Sequence, residues 1–154
     1  MNSDIKASKI LEDRKINVKI KIAALWGALM LIYIYVDIFG FYTPGAIESI
    51  LAGKVWKFEI TQAWAFGSLM LMMVPIVMII LSLILQARVN RWINIVVSAL
   101  YVAVGVGTII GETWAFYIVG HIAGILLLAL IFIFALKWPK QETAITPLNT
   151  TFGV

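Results

Sequence analysis

Asp37, Glu112 and His121 are the residues of this chain best suited to chemistry, because each is ionisable and falls in or beside a long apolar run. Ionisable groups at membrane depth are costly and default to functional sites. An imidazole and a carboxyl that meet can exchange a proton or hold the polar group of a ligand. Tyr33, Tyr101, Tyr117 and Trp114 would ring such a pocket, with walls suited to a small amphiphile, a quinone-like ring or a cationic group. Each ionisable residue also has a plain structural role open to it. Asp37 could reach the aqueous boundary, Glu112 could be a solvated loop residue, and a lone histidine is often a hydrogen-bonded core residue. Metal-ligand spacing, a glycine-rich phosphate loop and a nucleophile elbow are all missing, so no metal site is expected, catalytic residues stay unknown, and so does any cofactor. His121 paired with a methionine could ligate haem, but one histidine argues little for it.

The elements that must position these residues are four long apolar stretches, Ile22–Tyr42, Ala63–Leu85, Ile93–Ile110 and Trp114–Leu136. Each is about 18 to 23 residues, the length a helix needs to cross roughly 30 Å of hydrocarbon. The mean hydropathy of +1.00 agrees. So does a composition of 62% hydrophobic and 13% charged residues, against about 25% charged in soluble domains. At 154 residues the chain holds one bundle and no separate soluble domain. The expected fold is all-α: an up-down antiparallel four-helix transmembrane bundle. Residues 1–21 form a basic tail, 22–136 the membrane domain with a link at 43–62, and 137–154 a second tail. No cleavage site follows a short apolar core near the N-terminus, so the first span is expected to remain as an anchor. Cysteine is absent, which removes disulfides, thiolate ligands and cysteine nucleophiles.

Charge sets the expected orientation. Lys6, Lys9, Arg14, Lys15, Lys19 and Lys21 precede the first span, Arg88 and Arg91 join the second to the third, and Lys137 and Lys140 follow the fourth. On the opposite side only Lys54 and Lys57 occur. Basic residues favour the cytoplasm, so both termini are expected on the cytoplasmic side of the membrane. The segment Lys9–Lys21 reads as lying on anionic headgroups; the charge of +4 reflects this juxtamembrane placement rather than nucleic-acid binding. Arg88, Asn90, Arg91 and Trp92 read as a lipid-headgroup anchor, with Asn90 able to cap the third span. Short second and third links predict antiparallel neighbours. In the first link, Thr43-Pro44-Gly45 signals a turn, and Ala46–Leu51 a short helix closed by Gly53. Trp56 and Phe58 suggest that this link rests at the interface or caps the bundle.

Polar and small residues recur at helical spacing on each span. Asn94, Ser98, Tyr101, Gly105, Thr108 and Glu112 form one seam; Ser68, Met72, Pro75, Ile79, Ser82 and Gln86 a second; Trp114, Tyr117, His121, Gly124 and Leu128 a third; Trp26, Met30, Tyr33 and Asp37 a fourth. These seams should line the interior. Gly107-xxx-Gly111 and Gly120-xxx-Gly124 fit a close-approach motif. Pro75 should kink its helix and free a carbonyl. Helix arithmetic puts Asp37 about 22 Å from Ile22 and His121 about 10 Å inward from Trp114, both in the outer half of the bilayer.

Two blocks, Tyr35-x-Asp37-x-Phe39-Gly40-x-Tyr42-x-Pro44-Gly45 and Arg88-Val89-Asn90-Arg91-Trp92-x-Asn94, stand with Ala24-Leu25-Trp26 and Trp114-Ala115-Phe116-Tyr117. In these the chain resembles a family of small bacterial four-span membrane proteins known only as a domain of unknown function. The resemblance covers most of Lys15–Pro139 and implies four spans and a bacterial inner membrane. It implies no activity or site residues.

Three functions fit the residues. The first is binding of a small amphiphile or lipid-like ligand in an outer-leaflet pocket, with Asp37, His121 and Glu112 as polar contacts. The second is a proton-coupled exporter acting as a homo-dimer, disfavoured because such carriers place their carboxylate near the midplane. The third is an accessory subunit whose seams only hold helices together. Membrane lipids are partners in all three.

Overall fold

The computed structural model describes residues 15–139. Four of its helices are long and apolar enough to cross a membrane. They are α1 (Val18–Gly40), α3 (Gln62–Ile84), α4 (Ala87–Ile109) and α5 (Ala115–Leu136). The first link holds α2 (Ala46–Leu51) and a hairpin of β1 (Lys54–Val55) and β2 (Phe58–Glu59). Lys6, Lys9, Arg14 and Lys140, with the tail after Pro139, lie outside the described residues.

Local chemistry sets the boundaries. The Asn17 side chain accepts the Lys19 amide at 2.9 Å and starts α1. Pro44 cannot continue a helix, and Gly45 at φ 80° supplies the left-handed turn that opens α2. Gly53 at φ 76° closes α2 as its spacing predicts. The hairpin that follows, pairing Lys54 with Glu59 and Val55 with Phe58, has no counterpart in the sequence pattern. Thr61 caps α3 by accepting the Trp64 amide at 3.1 Å. Leu85 and Gln86 are extended, and α4 begins at once at Ala87 rather than at Ile93. The Arg88–Asn94 run is therefore the first two turns of a helix and not a loop. Asn90 does not cap it: Gln86 stands at the cap without a side-chain bond, and Asn90 points inward.

Contacts define the directions. Lys19 near the start of α1 reaches the end of α3, and Lys21 lies under Phe134 near the end of α5. Trp26, early in α1, bonds Asn94, early in α4. So α1 and α4 run one way, α3 and α5 the other. The packed neighbours are α3 with α1, α1 with α5 and α5 with α4. The expected antiparallel neighbours α3 and α4 are joined by side-chain bonds, but their backbones approach less closely than those of the other three pairs.

At the end of the bundle holding the α3–α4 turn, the tail end, the core is dense. Ile22, Trp26, Leu29, Met78, Leu128 and Ile131 are buried there. Among them runs a hydrogen-bonded clasp. Trp26 Nε1 donates to Asn94 Oδ1 at 2.7 Å, and Asn94 Nδ2 donates to Asn90 Oδ1 at 2.7 Å. Asn90 Nδ2 donates to the Ser82 carbonyl at 2.6 Å, and the Ser98 hydroxyl to the Asn94 carbonyl at 2.6 Å. In membranes each such bond contributes about 0.6 kcal/mol, yet an unmet polar group in hydrocarbon costs several. The clasp thus fixes which faces of α1, α3 and α4 meet more than it adds stability. Lys19 Nζ donates to the Leu85 carbonyl at 2.6 Å and the Leu83 carbonyl at 3.3 Å, a cation on the C-terminus of α3.

The glycines sort by neighbour. A methyl at Gly120 would collide with Val36, and one at Gly124 would sit 3.2 Å from Leu29 Cδ1, so this pair lets α5 close on α1. Gly107 and Gly111 face open space, so the second motif makes no close approach. Replacing Gly120 by Ala is expected to cost about 1–3 kcal/mol, and Gly107→Ala under about 0.5 kcal/mol, in reversible unfolding of the detergent-solubilised protein. Equal effects would mean that α1 and α5 do not meet at this face.

Candidate functional site

Pro75 has no N–H, so the carbonyl four residues earlier, at Leu71, loses its helical donor. The Tyr101 hydroxyl donates to that carbonyl from α4. Tyr101 is 5% exposed and stands edge-on to Trp26, with ring centroids 6.1 Å apart. This bond forms the floor of a cavity of about 130 Å³ toward the opposite, link end.

All four spans contribute walls. Tyr33, Val36 and Asp37 come from α1, and Leu71 and Met72 from α3. Tyr101, Val104, Gly105 and Thr108 come from α4, and Tyr117 and His121 from α5. The expected seams explain the set: Tyr101, Gly105 and Thr108 are one stripe of α4, and Tyr117 and His121 are one turn apart on α5. Gly105 is small because Ile125 of α5 crosses it, at 3.2 Å from where a Cβ would lie.

The histidine is held in place. Its Nδ1 lies 2.8 Å from the Tyr117 carbonyl, which can only accept, so Nδ1 carries the proton and donates. In the neutral ring this leaves Nε2 as an acceptor. Its ring stacks on Tyr117 at 5.0 Å and lies 6.4 Å from Tyr33. Asp37, one turn before the end of α1, is exposed at the rim and adds carboxyl oxygens as acceptors. The proton of the Tyr101 hydroxyl is already donated to Leu71, whereas the hydroxyls of Tyr33 and Tyr117 make no hydrogen bond among the described residues and stand as free donors beside these acceptors.

Of the residues singled out in the sequence, Asp37, His121, Tyr33, Tyr101 and Tyr117 come together. Glu112 does not line the cavity. Its Oε1 instead accepts the Thr113 amide at 3.0 Å and the Trp114 amide at 3.3 Å, tying the loop at the start of α5. Trp114 is also elsewhere, packed on Phe116 at 6.2 Å. Leu71, Met72, Val36 and Val104 line the site without being foreseen as site residues. The signal for Leu71 was its spacing of four before Pro75.

At the tail end Arg88 and Trp92 are exposed, while Asn90 is wholly buried in the clasp. Arg91 lies against Trp92, 5.9 Å from the ring centroid, and its Nε has no hydrogen-bond partner among the described residues.

No curated protein and no solved structure matches this chain. The profile of a family of unknown function does, over residues 8–145, which takes in all four spans and the whole cavity. The chain belongs to that family, DUF6326, a family of unknown function.

Proposed function

We propose that this multi-pass membrane protein binds a small amphiphile in the cavity between its four spans, through a head that donates hydrogen bonds. The observation that carries this is the meeting of Asp37 and His121 with three tyrosines on one cavity. Asp37 and Nε2 of His121 both accept, so a matching head carries a hydroxyl or an amine. A volume of about 130 Å³ suits a single ring, since a cavity of ~150 Å³ lined by apolar side chains holds benzene. Tyr33 and Tyr117 give that ring faces to stack on, and Val36, Leu71 and Met72 an apolar wall.

The distribution of Lys and Arg supports a cytoplasmic tail end, with the cavity in the outer leaflet half of a bacterial inner membrane. Arg88, Arg91 and Trp92 would then meet inner-leaflet headgroups.

Native mass spectrometry of the protein released from its own lipids is expected to show a reproducible small adduct. The adduct should fall roughly tenfold, the loss of one good hydrogen bond to the head, in Asp37→Asn and in His121→Ala, and persist in Glu112→Gln. A chain carrying only bulk phospholipid, with the variants folded as the parent is, would refute the binding reading.

Orientation has its own test, because the chain has no cysteine. In intact cells a membrane-impermeant maleimide should label Leu51→Cys and leave Val89→Cys unlabelled until the cells are opened. The reverse pattern would place the cavity in the inner leaflet.

A further inference from the structure

The walls of the cavity are unequal. Val36 at 7%, Tyr101 at 5% and His121 at 9% exposure form a closed back and floor. Leu71 on α3 and Val104 on α4, at 40% and 38%, form an open front. Helix α3 buries Pro75, Met78 and Ser82, so all of its buried residues lie from Pro75 toward the tail end. Its other half, from Gln62 to Val74, buries none. A proline removes a helical hydrogen bond, and Pro75 is also the point beyond which, toward the link end, α3 has no fully buried residue. Beyond the Tyr101–Leu71 bond, α3 and α4 therefore leave a gap facing hydrocarbon. Leu71 sits about 14 Å along α3 from Gln62, well below headgroup level, whereas Asp37 lies within a turn of the end of α1.

From this geometry we infer that the site takes its ligand from the bilayer, through the gap between α3 and α4, and leaves the ligand's tail in the lipid. The inference rests on the binding reading above and narrows its ligand class. The ligand is a hydrocarbon-soluble, single-chain amphiphile with a ring-sized donor head, not a water-borne solute. Three observations converge on it. The cavity holds a ring and no more, so any tail must leave. The jambs of the gap, Leu71 and Val104, are apolar and meet a tail without desolvating polar groups. The depth order matches an amphiphile lying in its own leaflet, with Asp37 at the head and Leu71 beside the tail. Rotating a head past Leu71 and Val104 needs no opening of the clasp, because the Tyr101–Leu71 bond stays closed beneath it.

The test uses the full chain in lipid nanodiscs and para-octylphenol carrying a diazirine at the end of its alkyl chain. After illumination, labelled residues are mapped by mass spectrometry with and without excess unmodified para-octylphenol. Labelling that the competitor removes is expected on α3 between Leu71 and Met78 and on α4 between Val96 and Val104, with a roughly tenfold drop in His121→Ala. Competable labelling confined to the link at residues 41–61, or to α5, would overturn the lateral gap while leaving the binding reading standing. Labelling that no competitor reduces, equal in parent and variant, would overturn both.

Discussion

One missing N–H organises this bundle. Inside hydrocarbon no water can serve a backbone carbonyl, so the Leu71 oxygen that Pro75 strands must find a donor from another helix. The Tyr101 hydroxyl is that donor, and it ties α4 to α3 at mid-depth, where the clasp that joins them toward the tail end does not reach. The bond divides the molecule. Toward the tail end α3 is drawn onto the core by Pro75, Met78 and Ser82; toward the link end it buries nothing.

The two halves use polar residues in opposite ways. In the closed half Asn90, Asn94, Ser82 and Ser98 spend their donors on each other or on carbonyls, and Trp26 adds its indole N–H. That satisfaction makes the clasp a device for register. In the open half Tyr101 and Nδ1 of His121 donate to carbonyls, which leaves Asp37 and Nε2 of His121 as acceptors beside the unbonded hydroxyls of Tyr33 and Tyr117. Unspent acceptors beside tyrosine rings are the chemical basis for a ligand whose head carries a hydroxyl or an amine.

Much of this was legible in the sequence. Length and hydropathy yield the spans, because crossing hydrocarbon demands a long apolar run whatever its neighbours. Pro44, Gly45 and Gly53 mark α2 because their backbone preferences are local. The α4 seam was readable because its polar residues recur every three or four positions. What escaped was relational. Arg88–Asn94 looked like a headgroup turn, since a polar run at a span's edge reads the same whether Asn90 faces lipid or Ser82. The α3–α4 link is the shortest between spans, but how closely two helices pack depends on which faces meet, and lipid-facing and core-facing positions of α3 are equally apolar. Glu112 lay on the α4 seam by period, but Gly111 at φ 84° turns the chain first and sends its carboxylate to the start of α5.

The cavity therefore follows from packing geometry more than from a motif. Gly120 and Gly124 bring α5 against α1 and so place His121 beside Tyr33, while on the opposite wall α3 buries no residue before Pro75. The most direct measurement is the carbon-13 shift of the Leu71 carbonyl, recorded by solid-state NMR in bilayers for the parent and for Tyr101→Phe. A hydrogen-bonded carbonyl in the parent that loses its donor in the variant is the expected result. A Leu71 carbonyl unchanged by removing the Tyr101 hydroxyl would contradict the division of the bundle at this bond.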